Sequence, residues 1–216
     1  GVDIVVRNRL RQHRCRLEAT PPPGWGERFT LQARFTQPLL AERADWRRWS
    51  GTLQATLPRA DVAALRRHVA LPFELTSGEG ALRGWLDVTH GEPRELTLDV
   101  ALRDVDLRLA DDVTPLAFDT IEGRLAARRD ADGLRLQARR FGFTTRDGLQ
   151  WPAGDVTLAW RGGGAPGEAA GGEFNAQRLD LGLMAQVAAG IPLDAAVRRW
   201  LDELAPQGVV TTLASR

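Results

Sequence analysis

Lysine and tyrosine are absent from these 216 residues, and cysteine and methionine occur once each. All 29 basic residues are therefore arginine, balanced by 28 acidic ones to a net charge of +1. Acidic and basic residues alternate along the chain, so the concentrated basic stripe that nucleic acid requires is missing. Arginine without lysine reads as codon bias in a GC-rich genome, with recognition of phosphate headgroups as the functional alternative. Cys15 has no partner within the chain, which excludes an intrachain disulfide and leaves the redox compartment unread. No window approaches the ~18 apolar residues of a membrane span, and Gly1-Val-Asp-Ile-Val-Val lacks the charged and apolar regions of a secretory leader. Both ends read as cut from something longer. His13, His68 and His90 fall in unrelated places, without metal-ligand spacing, so no metal or other cofactor is expected.

What is present is alternation. Leu96, Leu98, Val100 and Leu102 interleave with Thr97, Asp99 and Arg103, as in a strand with one apolar and one wet face. After Arg103-Asp104 the phase slips, and Val105, Leu107 and Leu109 become the apolar set. A second slip separates Leu134, Leu136 and Ala138 from Phe141 and Phe143. Each implies a bulge or bend. Further strands are read at Val2 to Val6, Arg14 to Ala19, Phe29 to Phe35, Gly51 to Leu57, Ala81 to Val88, Ile121 to Ala127 and Val156 to Trp160. Between them lie turn signals such as Pro21-Pro-Pro-Gly-Trp-Gly, Thr89-His-Gly-Glu-Pro, Arg129-Asp-Ala-Asp-Gly and Arg146-Asp-Gly.

A strand-helix-strand unit occurs twice. Gly51 to Leu57 leads to Asp61 and a short helix to Val69, then to the strand at Gly80. Gly172-Glu-Phe-Asn-Ala-Gln leads to Asp180, a helix to Ala189 and another from Asp194 to Leu204, then to Gly208 to Leu213. In both units a strand ends at Arg-x-Asp, with the Asp placed to cap the helix. Three short helices cover only part of so much strand. The remaining apolar face must curl on itself, meet a second sheet, or bind something greasy. The expected fold is mainly β: an elongated, strongly curved antiparallel sheet with an apolar groove and a few short helices. The whole chain, 1–216, reads as a single section of a longer protein, with repeat-like units at about 49–110 and 170–216.

Catalytic signatures are missing: there is no nucleophile elbow, phosphate loop or dinucleotide fingerprint. Asp104 with Asp106, and Asp111 with Asp112, could be imagined as paired carboxylates, but alternate charges on a wet strand face and at a turn explain them more simply. Trp46 and Trp49 read as packing residues at a strand entrance. The chain is not expected to be an enzyme.

Several phrases nevertheless resemble one family. These are Trp49-Ser-Gly-Thr-Leu-Gln-Ala-Thr-Leu followed by Asp61, Gly80-Ala-Leu-Arg-Gly-Trp-Leu, and Ile121-Glu-Gly-Arg-Leu. To them belong Arg146-Asp-Gly-Leu-Gln-Trp-Pro, Leu179-Asp-Leu, Ile191-Pro-Leu and Leu204-Ala-Pro-Gln-Gly. In order and spacing they are similar to the middle region of YhdP-type proteins of the AsmA-like superfamily. The resemblance implies a repeat-built, bridge-like periplasmic protein, anchored in the inner membrane by a segment outside this chain, that carries phospholipid towards the outer membrane and serves outer-membrane biogenesis. The implied partners are phospholipid, the rest of the same polypeptide and the inner membrane. The groove-facing residues expected to meet acyl chains are Leu53, Leu82, Leu96, Leu98, Val100, Val105, Leu107, Leu125, Leu136, Phe141, Phe143, Val156 and Leu158, with the helices plugging or bracing the groove. The same residues would also suit the core of a closed scaffold module without ligand. A third reading, a carbohydrate-binding or hydrolysing β protein, requires Trp and carboxylate side chains converging in one exposed cleft.

Overall fold

The computed structural model describes residues 1–22, 24, 26–38, 45–65, 73–129, 133–161, 171–191, 198–199, 203 and 208–215. Their alternating sequence forms one sheet of eleven strands in chain order: β1 (Val2–Arg9), β2 (Gln12–Ala19), β3 (Phe29–Thr36), β4 (Ser50–Asp61), β5 (Glu74–Thr89), β6 (Glu92–Arg108), β7 (Leu116–Arg129), β8 (Gly133–Thr145), β9 (Gln150–Arg161), β10 (Gly171–Asp180) and β11 (Val209–Ser215). Every neighbouring pair is antiparallel, and the first and last strands are not joined. Among the described residues no strand makes more than marginal contact with any but its neighbours in the sequence. Among the described residues the sheet is a single open layer with no second sheet across it.

The turns follow from local chemistry. Leu10 and Arg11 join Arg9 to Gln12, and His90 and Gly91 join Thr89 to Glu92, each as a two-residue connection. His90 and Gly91 have φ of 52° and 75°, the left-handed pair that matches a hairpin's twist. The two phase slips are bulges. Asp104 has φ 53° opposite the irregular stretch of β5 around Ser77, and Arg140 has φ 46° where β8 gains a residue on β7. Ser77 stabilises the first: its hydroxyl lies 2.8 Å from the Asp104 carbonyl and 2.8 Å from Asp106 Oδ2, and it accepts from the Asp106 N–H at 3.1 Å. A slip in one strand is carried into the next. Leu102 faces Ile121 and Val105 faces Phe118, so the apolar side stays apolar through the bend.

Helical segments interrupt the succession of strands. α1 (Val62–Leu65) follows β4, and α2 (Leu181–Val187) follows β10 and runs into a 3-10 turn at Ala188–Gly190. Both are capped alike. Asp61 Oδ1 accepts from the Ala64 N–H and Asp180 Oδ1 from the Leu183 N–H, each at 3.0 Å. The distal part of the helix expected to reach Val69, and most of that expected over Asp194 to Leu204 with Val197, Trp200, Leu201 and Leu204, lie outside the described residues. So does the glycine-rich run 162–170.

The core gathers where α1 lies on the sheet. Val62 packs with Leu75, Val100, Val105, Phe118 and Ile121, and Phe73, Leu102, Leu116, Phe141 and Phe143 surround them. Phe143 meets Phe118 edge-on at 5.1 Å and stacks on Trp151 at 5.5 Å. Gly190 seats the 3-10 turn directly on Leu116, where a Cβ would come within 2.3 Å of that side chain.

Candidate lipid-binding face

In an antiparallel pair, residues directly opposite each other share a face, so the register alone sorts every side chain. One row reads Val6, Cys15, Ala33, Leu53, Leu86, Leu96, Ala127, Leu136, Leu158 and Phe174 from β1 to β10. The next reads Ile4, Leu17, Leu31, Ala55, Gly84, Leu98, Leu125, Ala138, Val156 and Ala176. Neither contains a polar group beyond the Cys15 thiol. The rows run across the strands, so apolar surface is continuous along the sheet and not merely along one strand.

Every residue named from the sequence as groove-facing lies on this side, but two environments result. Val105 and Val100 are buried beneath α1, at 1% and 8% exposure, and Leu82, Leu98, Leu107, Phe141 and Phe143 pack around that core. Away from α1 and from the 3-10 turn seated on Leu116, the face over β6–β9 is left partly open among the described residues. Leu96, Leu125, Leu136 and Leu158 are between 36% and 44% exposed, an uncommon state for aligned leucines at the centre of a sheet. Leu96, Leu98, Leu125, Leu136, Val156 and Leu158 line a cavity of about 350 Å³ on the surface of β6–β9, which makes this stretch concave. Leu53 belongs to the same row one strand beyond Leu86. The sequence reading omitted Ile4, Val6, Leu17, Leu31, Phe174 and Ala176, although the alternation of Val2, Ile4 and Val6 and of Cys15, Leu17 and Ala19 carried the signal.

The opposite face is polar and laced with ion pairs. Arg124 grips Asp99 through Nε and Nη2, the latter at 2.9 Å, and its guanidinium lies 5.7 Å from the centre of the Trp85 ring. The Arg124 hydrogen bond holds the Asp99 carboxyl below the usual range, and the Asp99 carboxylate in turn raises Arg124. Glu79, between Arg59 and Arg103, and Glu18, between Arg16 and Arg28, are lowered by the same cause. These pairs are solvent-exposed and fix the order of the wet side chains more than they stabilise the fold.

Catalytic geometry does not emerge. Asp106 is engaged by Ser77 and, at 3.1 Å, by Arg146, and Asp104 occupies the bulge. Trp49 stacks on His13 at 4.2 Å beside Phe35, a packing role at the entrance to β4, while the Trp46 side chain lies outside the description. Trp85 lies on the polar face, Trp151 on Phe143 and Trp160 at the exposed end of a row, so the described Trp side chains form no common cleft. Among the described residues no three His, Cys, Asp or Glu gather as a metal site, and no helix is long and apolar enough to cross a membrane.

The model of the YhdP protein family matches residues 2–216, nearly the entire chain. This chain belongs to the YhdP family. No curated protein and no solved structure shows a significant match. The YhdP family is not known as enzymatic.

Proposed function

We propose that this chain is a non-catalytic section of a lipid-transport apparatus of the bacterial envelope. In this reading it binds phospholipid acyl chains along the apolar face, as part of a periplasmic bridge from the inner to the outer membrane, held to the inner membrane by a segment outside this chain. The observation that carries it is the pair of apolar rows crossing ten strands, left half-exposed over a concave stretch of the sheet. A closed scaffold module would instead bury those rows.

The energetics favour sliding over trapping. Removing sixteen methylenes from water gains on the order of 12 kcal/mol, at about 0.8 kcal/mol each. An open face covers only one side of the chain and gains a fraction of this. The phosphate headgroup, costly to desolvate, stays in water beyond the rim. Successive strands about 4.8 Å apart offer nearly equivalent apolar positions, so an acyl chain shifts by one strand without crossing a deep minimum.

A photo-crosslinking residue at Leu98, and separately at Thr97, tests this in the full-length protein, in cells with radiolabelled phospholipid. The two positions are adjacent in β6 and point to opposite faces. Label is expected at Leu98 and not at Thr97. A folded, correctly located protein that captures label at neither position would refute acyl-chain binding and favour the scaffold.

A further inference from the structure

The polar face carries one row that breaks its own pattern. Arg16, Arg28, Arg59, Arg103, Arg124 and Arg161 each hold a carboxylate. Arg7 of β1, Arg14 of β2 and Arg34 of β3 stand directly opposite one another across three adjacent strands, with no ion pair or side-chain hydrogen bond. Like charges in facing positions are unfavourable in an antiparallel sheet, and three in a line compound the cost. The row continues to Thr52 and reaches a carboxylate only at Asp87 of β5. The nearby Glu18 is already held by Arg16 and Arg28. Arg7, Arg14 and Arg34 border a cavity of about 430 Å³ whose walls include Val5, Arg16 and Gln32.

We propose that Arg7, Arg14 and Arg34 bind a phosphate-bearing anion on the face opposite the apolar rows. Guanidinium groups suit this ligand because their planar forks donate paired hydrogen bonds to phosphate oxygens. Strands about 4.8 Å apart put neighbouring guanidinium groups within reach of one phosphate, and the three together within reach of two. Apart from arginine stems, Val5 is the only large apolar side chain bordering the cavity. The site therefore recognises the phosphate and no acyl chain, and it stands independently of the lipid reading of the other face. The phosphate has two sources: a free phosphate compound, or the headgroups of an anionic membrane surface laid against this end of the sheet.

The test titrates the 216-residue chain with inorganic pyrophosphate by calorimetry and, separately, sediments it with vesicles of phosphatidylglycerol or of phosphatidylcholine. Two variants of equal charge change are compared: Arg14→Gln with Arg34→Gln, and, as a control elsewhere on the polar face, Arg135→Gln with Arg139→Gln. Pyrophosphate binding that weakens about tenfold or more in the first variant and not in the control supports the site with a free phosphate ligand. Failure to bind pyrophosphate, with sedimentation on phosphatidylglycerol alone and the same dependence on Arg14 and Arg34, supports it with membrane headgroups as the source. No binding in either assay, or equal losses in both variants, overturns the proposal.

Discussion

Two side chains of the same apolar side, in neighbouring regions of the sheet, have opposite duties. Val105 is 1% exposed and wedged between Val62 of α1 and Phe118, whereas Leu136 is 39% exposed over the cavity of β6–β9. Cutting Val105 back to Ala removes methyl groups with no room for collapse, at a cost of about 2 kcal/mol. Leu136→Ala removes more carbon but much of it already meets water, so its cost is under about 1 kcal/mol by the same area argument. Urea denaturation of the two variants is expected to separate them in that order. Acyl-chain capture is expected to reverse it, with Leu136→Ala losing more than Val105→Ala. Equal stability losses would mean that the face over β6–β9 is covered as thoroughly as the core under α1.

At the level of the element, Gly78 decides whether α1 can lie on the sheet. Its φ is 145°, and a Cβ there would come within 2.7 Å of Val62 Cγ2 and 3.2 Å of Val105 Cγ2. Gly78→Val is therefore expected to lift α1 and cost about 2 kcal/mol or more. Gly84 in the same strand has an ordinary φ, and its nearest neighbour, Leu98 Cδ1, is an easy 3.6 Å away. Gly84→Ala is expected to be neutral or to gain roughly 0.5 kcal/mol, since glycine in a strand interior is itself unfavourable. Thermal unfolding of both variants checks the contrast. These two glycines also mark how far the sequence could be read. All eleven strands were legible because the chain alternates with period two. The bulges at Asp104 and Arg140 showed as slips of phase, and Asp61 and Asp180 as caps, because a short side chain with an oxygen acceptor just before an apolar helical run is the mark of an N-cap. Alternation assigns a side chain to a face but is silent about what lies upon it. Val105 and Leu136 carry the same sequence signature, and only the placement of α1, which depends on Gly78, tells a brace from an open groove. The Arg7, Arg14 and Arg34 row was equally hidden, because its members lie on three strands and meet only through register.

Across the whole molecule, β1 is the first strand of the described sheet, and in the 216-residue chain its outer side is unusually apolar. Val2, Ile4, Val5 and Val6 are 63%, 60%, 49% and 59% exposed, and β1 pairs only with β2. Val2, Ile4 and Val6 continue the apolar side of Ala19, Leu17 and Cys15, while Val5 extends the polar side. An exposed strand edge with apolar residues on both faces is a template for another strand. Asp3, Arg7 and Arg9 are the charges that restrain it. The 216-residue chain is accordingly expected to self-associate with rising concentration in sedimentation velocity, through its β1 edge. Ile4→Lys with Val5→Lys puts a charge on each face of that edge without touching the core, and is expected to shift the population to monomer with unfolding behaviour unchanged. If this variant associates as strongly as the parent while Leu96→Asp with Leu136→Asp abolishes association, the contact runs face to face over the apolar rows. The edge would then be protected by its charges alone, and the open groove, not the strand end, would be what the chain must shield from its own copies.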